Sequence, residues 1–253
     1  MKLVEGSYLL ELVSTENAVS SIEFQDIGEL IEGSESEPND HFQHANQLVV
    51  GKQISGQMGK ANEYDYFKFD VNEDLSQNQL EIKLSNPDGA SLELCLYTDE
   101  KTRLQCKTNK GDIDLVQLVL SQGSYGLSVA RGPLNTKYSL QVVNNGNRNS
   151  LMEAEPNDVF AYATSMNPKR IIKGETIDNE SDYFYFEVSE QEQVWTVQAI
   201  GESITNLSLY NAAGKSIQEQ RFPKGSKRVR LSNLHLMPGK QVIRIHGEDS
   251  KYL

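Results

Sequence analysis

Apolar and polar residues alternate with a period of two along most of this chain. Phe67, Phe69 and Val71 alternate with Tyr66, Lys68 and Asp70, and Leu80, Ile82 and Leu84 recur in the same way, as do Trp195, Val197 and Ala199. That period sends one set of side chains to a buried face and the other to solvent, so each run predicts a half-buried β-strand. Turn formers separate the runs: Asn86-Pro87-Asp88-Gly89, Ala213-Gly214 and Pro238-Gly239. Only Phe42, Ala45, Leu48 and their later equivalents carry a helical spacing, enough for one turn. Short, evenly spaced strands with such turns predict an all-β chain of tandem antiparallel β-sandwich, jelly-roll-like modules.

The pattern occurs twice. Glu35, Glu37, Pro38, Asn39, Asp40, Phe42 and Ala45 recur 118 positions later as Glu153, Glu155, Pro156, Asn157, Asp158, Phe160 and Ala163. Ile54-Ser55-Gly56 then answers Ile172-Lys173-Gly174, and Asp65-Tyr66-Phe67 answers Asp182-Tyr183-Phe184. Leu96-Tyr97 answers Leu209-Tyr210, and Lys137-Tyr138 answers Lys251-Tyr252. Agreement in order along a whole unit marks a repeat of roughly 110 residues. The opening EGSYLLELV resembles the GSYGLSV strand at 123–129, and SSIEFQDI resembles the strand after it. Residues 1–30 therefore read as the C-terminal strands of a truncated earlier repeat, 31–148 as a complete module, and 149–253 as a second that lacks its last strand.

Composition narrows the class. A chain of 253 residues suits two cores, and 38% hydrophobic with 24% charged residues is ordinary for folded material, which argues against disorder. A formal charge of -12 repels phosphate backbones, so nucleic acid is not an expected partner. No run approaches the roughly 20 apolar residues of a membrane span. Glu5 and Glu11 interrupt the apolar start, which reads as a strand rather than a leader.

Cys95 and Cys106 flank a turn at Thr98 to Thr102. Direct cross-strand pairing places them opposite each other, for a disulfide. The alternation Leu92, Leu94, Leu96 against Leu104 and Cys106 favours a register one residue away, with two buried thiols on opposite faces. Both readings stand at this point.

One constellation carries chemistry. Pro38 disfavours helix in the residue before it, so the chain runs extended through Glu35-Ser36-Glu37, and Glu35, Glu37 and Asn39 share a face. Asp40 follows, giving three carboxylates and one amide oxygen within six residues, much of the oxygen shell that calcium takes. Asp65 with Asn62 is the natural completion in the first repeat, and Asp182 with Asn179 or Asp178 in the second. The plainer alternative makes Asp40 a cap for the turn carrying Phe42, with Glu35 and Glu37 as solvated charges. Recurrence of the same donors before an Asp-Tyr-Phe strand favours the metal.

With those residues, Gly56 or Gly174, Asp-Tyr-Phe-x-Phe-x-Val and the late Gly-x-Tyr-x-Leu-x-Val, the chain resembles the bacterial pre-peptidase C-terminal domain family, which includes the collagen-binding modules of clostridial collagenases. The resemblance implies a β-sandwich appended to secreted, cell-surface or periplasmic proteins, which binds Ca2+ at its entry linker and in some members collagen or another insoluble polymer. It implies calcium ligands Glu35, Glu37, Asn39, Asp40 and Asp65, and then Glu153, Glu155, Asn157, Asp158 and Asp182. The family often has an Asp just before the Asp-Tyr pair, where this chain has Asn62-Glu63-Tyr64 and Asn179-Glu180-Ser181.

No nucleophile elbow, zinc-protease helix, P-loop or Cys-His pairing is present, so no catalysis is expected of this region; any catalytic domain belongs elsewhere in the parent protein. His41 and His44 are replaced by Val159 and Tyr162 in the second repeat and read as surface residues. Tyr66, Tyr97, Tyr183, Tyr185 and Tyr210 fall on the outward phase of their strands, as a polymer-binding face requires; packing under loops is the plainer reading.

Overall fold

A computed structural model describes residues 33–59, 64–98, 102–176, 180–189, 191–248 and 250–253. The expectations for residues 1–30, and the ligand assignments at Asn62, Asp178 and Asn179, lie outside the described residues. The chain forms two compact units. One holds the residues up to Asp70 with Lys83–Asp114 and Ser124–Val142; the other holds Val71–Ile82, Leu115–Gly123 and Val143–Leu253.

Among the described residues the first repeat supplies nine strands: β1 (Asn46–Gln47), β2 (Gln53–Gln57), β3 (Tyr64–Val71), β4 (Asn78–Ser85), β5 (Ser91–Thr98), β6 (Arg103–Lys110), β7 (Ile113–Leu118), β8 (Gly123–Ala130) and β9 (Lys137–Asn147). The second supplies β10 (Thr164–Ser165), β11 (Gly174–Thr176), β12 (Ser181–Val188), β13 (Gln193–Ile200), β14 (Ile204–Asn211), β15 (Ser216–Arg221), β16 (Arg228–Leu236), β17 (Gly239–Gly247) and β18 (Ser250–Tyr252). One five-stranded sheet has the order β1-β3-β8-β5-β6 and another β10-β12-β17-β14-β15, the same order strand for strand. Each has one short parallel pair, β1 with β3 and β10 with β12.

Alternation does what it predicts. In β3, Phe67, Phe69 and Val71 are buried while Lys68 and Asp70 are exposed, and in β4 Leu80, Ile82 and Leu84 are buried. In the second unit Phe184, Phe186, Leu207, Ile243 and Ile245 from one sheet meet Ala199, Val229, Leu231 and Leu236 from the other layer in a single core. Burial of such side chains contributes roughly 1.5–3 kcal/mol each and sets which face of each strand turns inward. The turns carry the expected glycines: Gly89 (φ 63°) donates to Asn86 O at 3.1 Å, and Gly214 (φ 74°) to Asn211 O at 2.9 Å.

The second layers differ. The first repeat has one four-stranded sheet, β2-β9-β4-β7, whereas the second has two separate pairs, β11-β18 and β13-β16. The eleven residues of β9 are answered by three in β18.

Cys95 and Cys106 are directly opposed in the β5–β6 ladder and form a disulfide, with their Cα atoms 4.1 Å apart. The direct register holds, and an irregularity between Leu96 and Tyr97 absorbs the odd residue. In the second repeat the same rung is Ser208 opposite Glu219. There Asn206 Nδ2 donates to Glu219 Oε1 at 2.9 Å and Ser208 Oγ donates to Asn206 Oδ1 at 2.6 Å. A polar ladder stands where the first repeat has a covalent one.

Candidate metal-binding sites

Backbone pairing fixes the acidic segments before any side chain acts. Ser55 N donates to Gly33 O and Glu35 N to Ser55 O, at 2.7 and 2.9 Å; Lys173 N and Glu153 N make the equivalent bonds, both at 2.8 Å. Each segment therefore runs extended beside β2 or β11, as its proline predicts. The Glu37–Pro38 and Glu155–Pro156 peptide bonds are both cis. The Asn46 side chain holds Ser36 by two backbone hydrogen bonds, and Thr164 Oγ1 holds Ala154 O at 2.7 Å. Tyr66 N and Tyr183 N then bind Asn39 O and Asn157 O, at 2.9 and 3.0 Å, tying each motif to β3 or β12.

These anchors converge the carboxylates. Glu35, Glu37 and Asp65 each offer an oxygen within 4.8 Å of one another, and so do Glu153, Glu155 and Asp182. A further group, Asp158, Glu180 and Asp182, shares Asp182 with the second. Asp40 joins no such group among the described residues, unlike its counterpart Asp158. Nor does Asp40 cap the turn: His41 is the N-cap of the Phe42–His44 3-10 turn, and it makes no side-chain capping bond.

Two tyrosines that the acidic motif does not announce complete the arrangement. Tyr138 Oη lies 2.7 Å from Glu35 Oε2 and 2.5 Å from Asp65 Oδ2, and Tyr252 Oη lies 2.6 Å from both Glu153 Oε2 and Asp182 Oδ2. A hydroxyl has one proton to donate, so the second short contact needs a proton on a carboxyl group or a cation close by. The recurring Lys-Tyr at 137–138 and 251–252 is their sequence signal. It also explains the glycine in each repeat: a Cβ on Gly56 would collide with the Tyr138 ring, and one on Gly174 with Tyr252 and the Glu153 carboxylate.

Burial dominates the electrostatics. Asp65, Asp182, Asn39 and Asn157 have no exposed surface. Burial pushes Glu35 up from the usual carboxylate range, and it raises Asp158 as well. Burial first, and then the neighbouring carboxylates, raise Glu155 and Asp182; burial also raises Glu153. Some charge stabilisation comes from within: Gln57 N and Glu175 N donate to Glu35 Oε1 and Glu153 Oε1, and Asn39 N and Asn157 N to Glu37 Oε2 and Glu155 Oε2. Asn39 Oδ1, Asn157 Oδ1, Asp158 Oδ1 and Asp182 Oδ1 are buried and accept no hydrogen bond from the described residues.

A buried oxygen acceptor left open costs roughly 1–3 kcal/mol, and one beside several carboxylates asks for a cation rather than a donor. The donor set is oxygen alone, without imidazole or thiolate, which suits a hard cation such as calcium rather than zinc. A bound cation would supply the positive charge that these side chains do not provide for one another.

The outward tyrosines pack against the 3-10 turns. Phe42 lies 4.3 Å from the Tyr66 ring and 5.2 Å from Tyr97; Phe160 lies 6.3 and 6.2 Å from Tyr183 and Tyr210. All four tyrosines remain half-buried, and Tyr185 lies under Lys240 Nζ at 4.1 Å. His41 and His44 are exposed and enter no acidic group among the described residues; His246 Nδ1 meets Ser181 Oγ at 3.1 Å.

No family profile matches the chain. Similar solved structures include the pre-peptidase C-terminal domain of a collagenase from Bacillus anthracis, 20% identical over 39% of this chain and 93% of that one (TM-score 0.31). The PBSX exported protein XepA is 10% identical over 81% and 88% (TM-score 0.31). The tandem CBM51 modules of a family 98 glycoside hydrolase from Streptococcus pneumoniae are 9% identical over 81% and 83% (TM-score 0.24). Among the described residues no helix is long and apolar enough to cross a membrane.

Proposed function

We propose that this chain is a non-catalytic, calcium-binding accessory region of an exported bacterial protein, which tethers that protein to an insoluble extracellular polymer such as a collagen-like protein or a polysaccharide. One observation carries the calcium reading: the open, buried oxygens of Asn39, Asn157 and Asp182 beside carboxylate triads that repeat in sequence. Glu35, Glu37, Asn39 and Asp65 hold the first ion; Glu153, Glu155, Asn157 and Asp182 hold the second, with Asp158 and Glu180 extending that site. The tether follows from the motif resemblance, with Tyr66, Tyr97, Tyr183 and Tyr210 as the candidate contact residues. Titration calorimetry of the chelator-treated chain with calcium, magnesium and zinc tests the first part. Saturable heat with calcium, lost in Asp65→Asn plus Asp182→Asn, supports it; no heat with calcium refutes it. Co-sedimentation with insoluble collagen and with polysaccharide tests the second.

A different observation favours a spacer that stiffens a repeat array. Glu155 N donates to Gln117 O at 2.9 Å and Val119 N donates to Glu155 O at 2.8 Å, so the second acidic segment is stitched to the end of β7. A spacer sediments with neither polymer, yet still resists proteolysis around 148–158 when calcium is present.

A further inference from the structure

The chain carries 36 acidic and 24 basic residues, yet between Arg221 and Arg230 stand five cations and no anion. Arg221 ends β15, Lys224 and Lys227 lie in the connection that follows, and Arg228 and Arg230 open β16. All five are exposed. Lys224 Nζ meets Glu248 Oε2 at 2.5 Å, and the other four enter no ion pair among the described residues. Gly201 N donates to Lys227 O at 3.0 Å, which sets Glu202 at the border of this ridge.

The fold fixes the backbone that carries these cations. Phe222 packs against the core of the second unit, and its N–H donates to Thr205 O at 2.9 Å. Ser226 N and Ser226 Oγ both donate to Pro223 O, at 3.1 and 2.6 Å, around Gly225 at φ 81°. That closes a tight turn whose third position lies in the left-handed region, which glycine reaches without strain. In β16 Val229 and Leu231 are buried, so Arg228 and Arg230 project together from the opposite face. Arg230 is directly opposite the exposed Gln198 of β13. A backbone held this way leaves only side-chain freedom to be lost when a ligand docks.

The first repeat shows that the architecture does not require these charges. Like β16, β7 follows the edge strand of its five-stranded sheet and joins the second layer, and its buried Ile113 and Leu115 answer Val229 and Leu231. The residues that answer Arg228 and Arg230 are then Asp112 and Asp114. The sign is reversed at both positions. Asp112 serves its own repeat, since its Oδ1 accepts from Asn86 N at 2.8 Å and from Ser85 Oγ at 3.2 Å. The guanidinium groups of Arg228 and Arg230 have no hydrogen-bond or ion-pair partner among the described residues.

We infer that Arg221, Lys227, Arg228 and Arg230 form a binding ridge for an acidic polysaccharide, held through its carboxylate or sulfate groups, with Gln198 open to its hydroxyls. The inference rests on the polysaccharide half of the tether reading and uses neither the acidic clusters nor the tyrosines. Guanidinium groups take carboxylate and sulfate through paired hydrogen bonds, and unpaired cations set along a ridge match a ligand with charges spaced along a chain. Nucleic acid fits less well, because its line of charge is dense and the rest of a chain at -12 repels it.

The full chain, with calcium present, is titrated into fluorescein-labelled hyaluronan and into labelled dextran sulfate, with anisotropy as the readout. Both should bind saturably and weaken between about 50 and 200 mM salt, as ionic contacts require. Arg228→Gln plus Arg230→Gln should weaken binding by about tenfold and flatten the salt dependence, with urea unfolding unchanged. Lys169→Gln plus Lys215→Gln removes the same charge from exposed positions elsewhere and should leave binding as it was. No binding to either polymer, an equal loss in the two variants, or tighter binding to DNA overturns the inference. Co-sedimentation with collagen or a neutral polysaccharide reads the tether separately; if it survives in the arginine variant while hyaluronan binding falls, the ridge stands as a distinct contact.

Discussion

Glu35 and Glu37 are half-buried, whereas their counterparts Glu153 and Glu155 keep only 2% and 5% of their exposure. The motif is the same; the covering differs. Glu155 has its backbone bonded on both sides to Gln117 and Val119 of the β7 end, and the carboxylates around it are drawn out of water. All four acidic groups at 153, 155, 158 and 182 are pushed up from their ordinary values, with burial the largest cause. Matching carboxylate triads can thus be held at two levels of desolvation, and on the proposed reading the drier one depends more on a cation. The repeats divide in another way too: the first has a covalent rung at Cys95–Cys106, and the second has Ser208, Asn206 and Glu219 at that place.

The largest expected difference follows calcium removal. At a thousandfold excess over its dissociation constant a ligand adds about 4 kcal/mol to the state it binds, and chelation takes that away. Hydrogen exchange should then accelerate more in β12 and β17 than in β3 and β8. Equal acceleration in both pairs would break the comparison. Next comes the rung. Replacing both Cys95 and Cys106 with Ser should cost about 3 kcal/mol by urea unfolding, the loss expected for a short disulfide loop. Calcium should leave that loss unchanged; a loss that calcium abolishes would show that the two supports are one.

Smaller is the effect of the bridging hydroxyl. Tyr252→Phe should cost about 2 kcal/mol in chelator, and Tyr138→Phe about half of that, because water can reach Glu35 in place of the lost donor. The reverse order, measured by the same urea titrations, would show that exposure of Glu35 and Glu37 does not soften the first site. The smallest concerns pH. Carboxyl groups with raised native values keep protons that the unfolded chain has released, so native stability is full below the ordinary carboxylate range and declines as pH rises above it. The chelated chain should therefore be more stable to urea at pH 5 than at pH 7.5, by an amount of the order of one pK unit, about 1.4 kcal/mol. With calcium bound, the cation replaces those protons and the trend should flatten. A chelated chain that gains stability over this range would overturn the account of the second site.

The strands were legible because half-burial imposes a period of two, and Phe67–Val71 or Leu80–Leu84 display it within five residues. The acidic clusters were legible because six consecutive residues contain most of each. Tyr138 and Tyr252 were not, since 103 and 99 residues separate them from the glutamates they bind. Only their recurrence beside a lysine marks them. Glu180 escaped for a different reason: acidic residues abound in this chain, and nothing local distinguishes a member of the cluster from a solvated charge. The cysteine register was undecided because β6 is the edge strand of its sheet and Leu104 is only half-buried. Alternation loses its authority where neither face of a strand is fully covered.

Gly56 and Gly174 have a consequence for anyone who alters this protein. Each leaves the space in which a tyrosine ring crosses the sheet to reach the acids, and no other residue leaves that space empty. Gly174→Ala would add a single methyl group, contribute no charge and remove no ligand, yet it would press on Tyr252 and Glu153 together. A mutational scan that scores residues by what their side chains do would rank it silent; the tolerance map should instead give it the same intolerance as Asp182. The most exacting position in the site would be one that has no side chain at all.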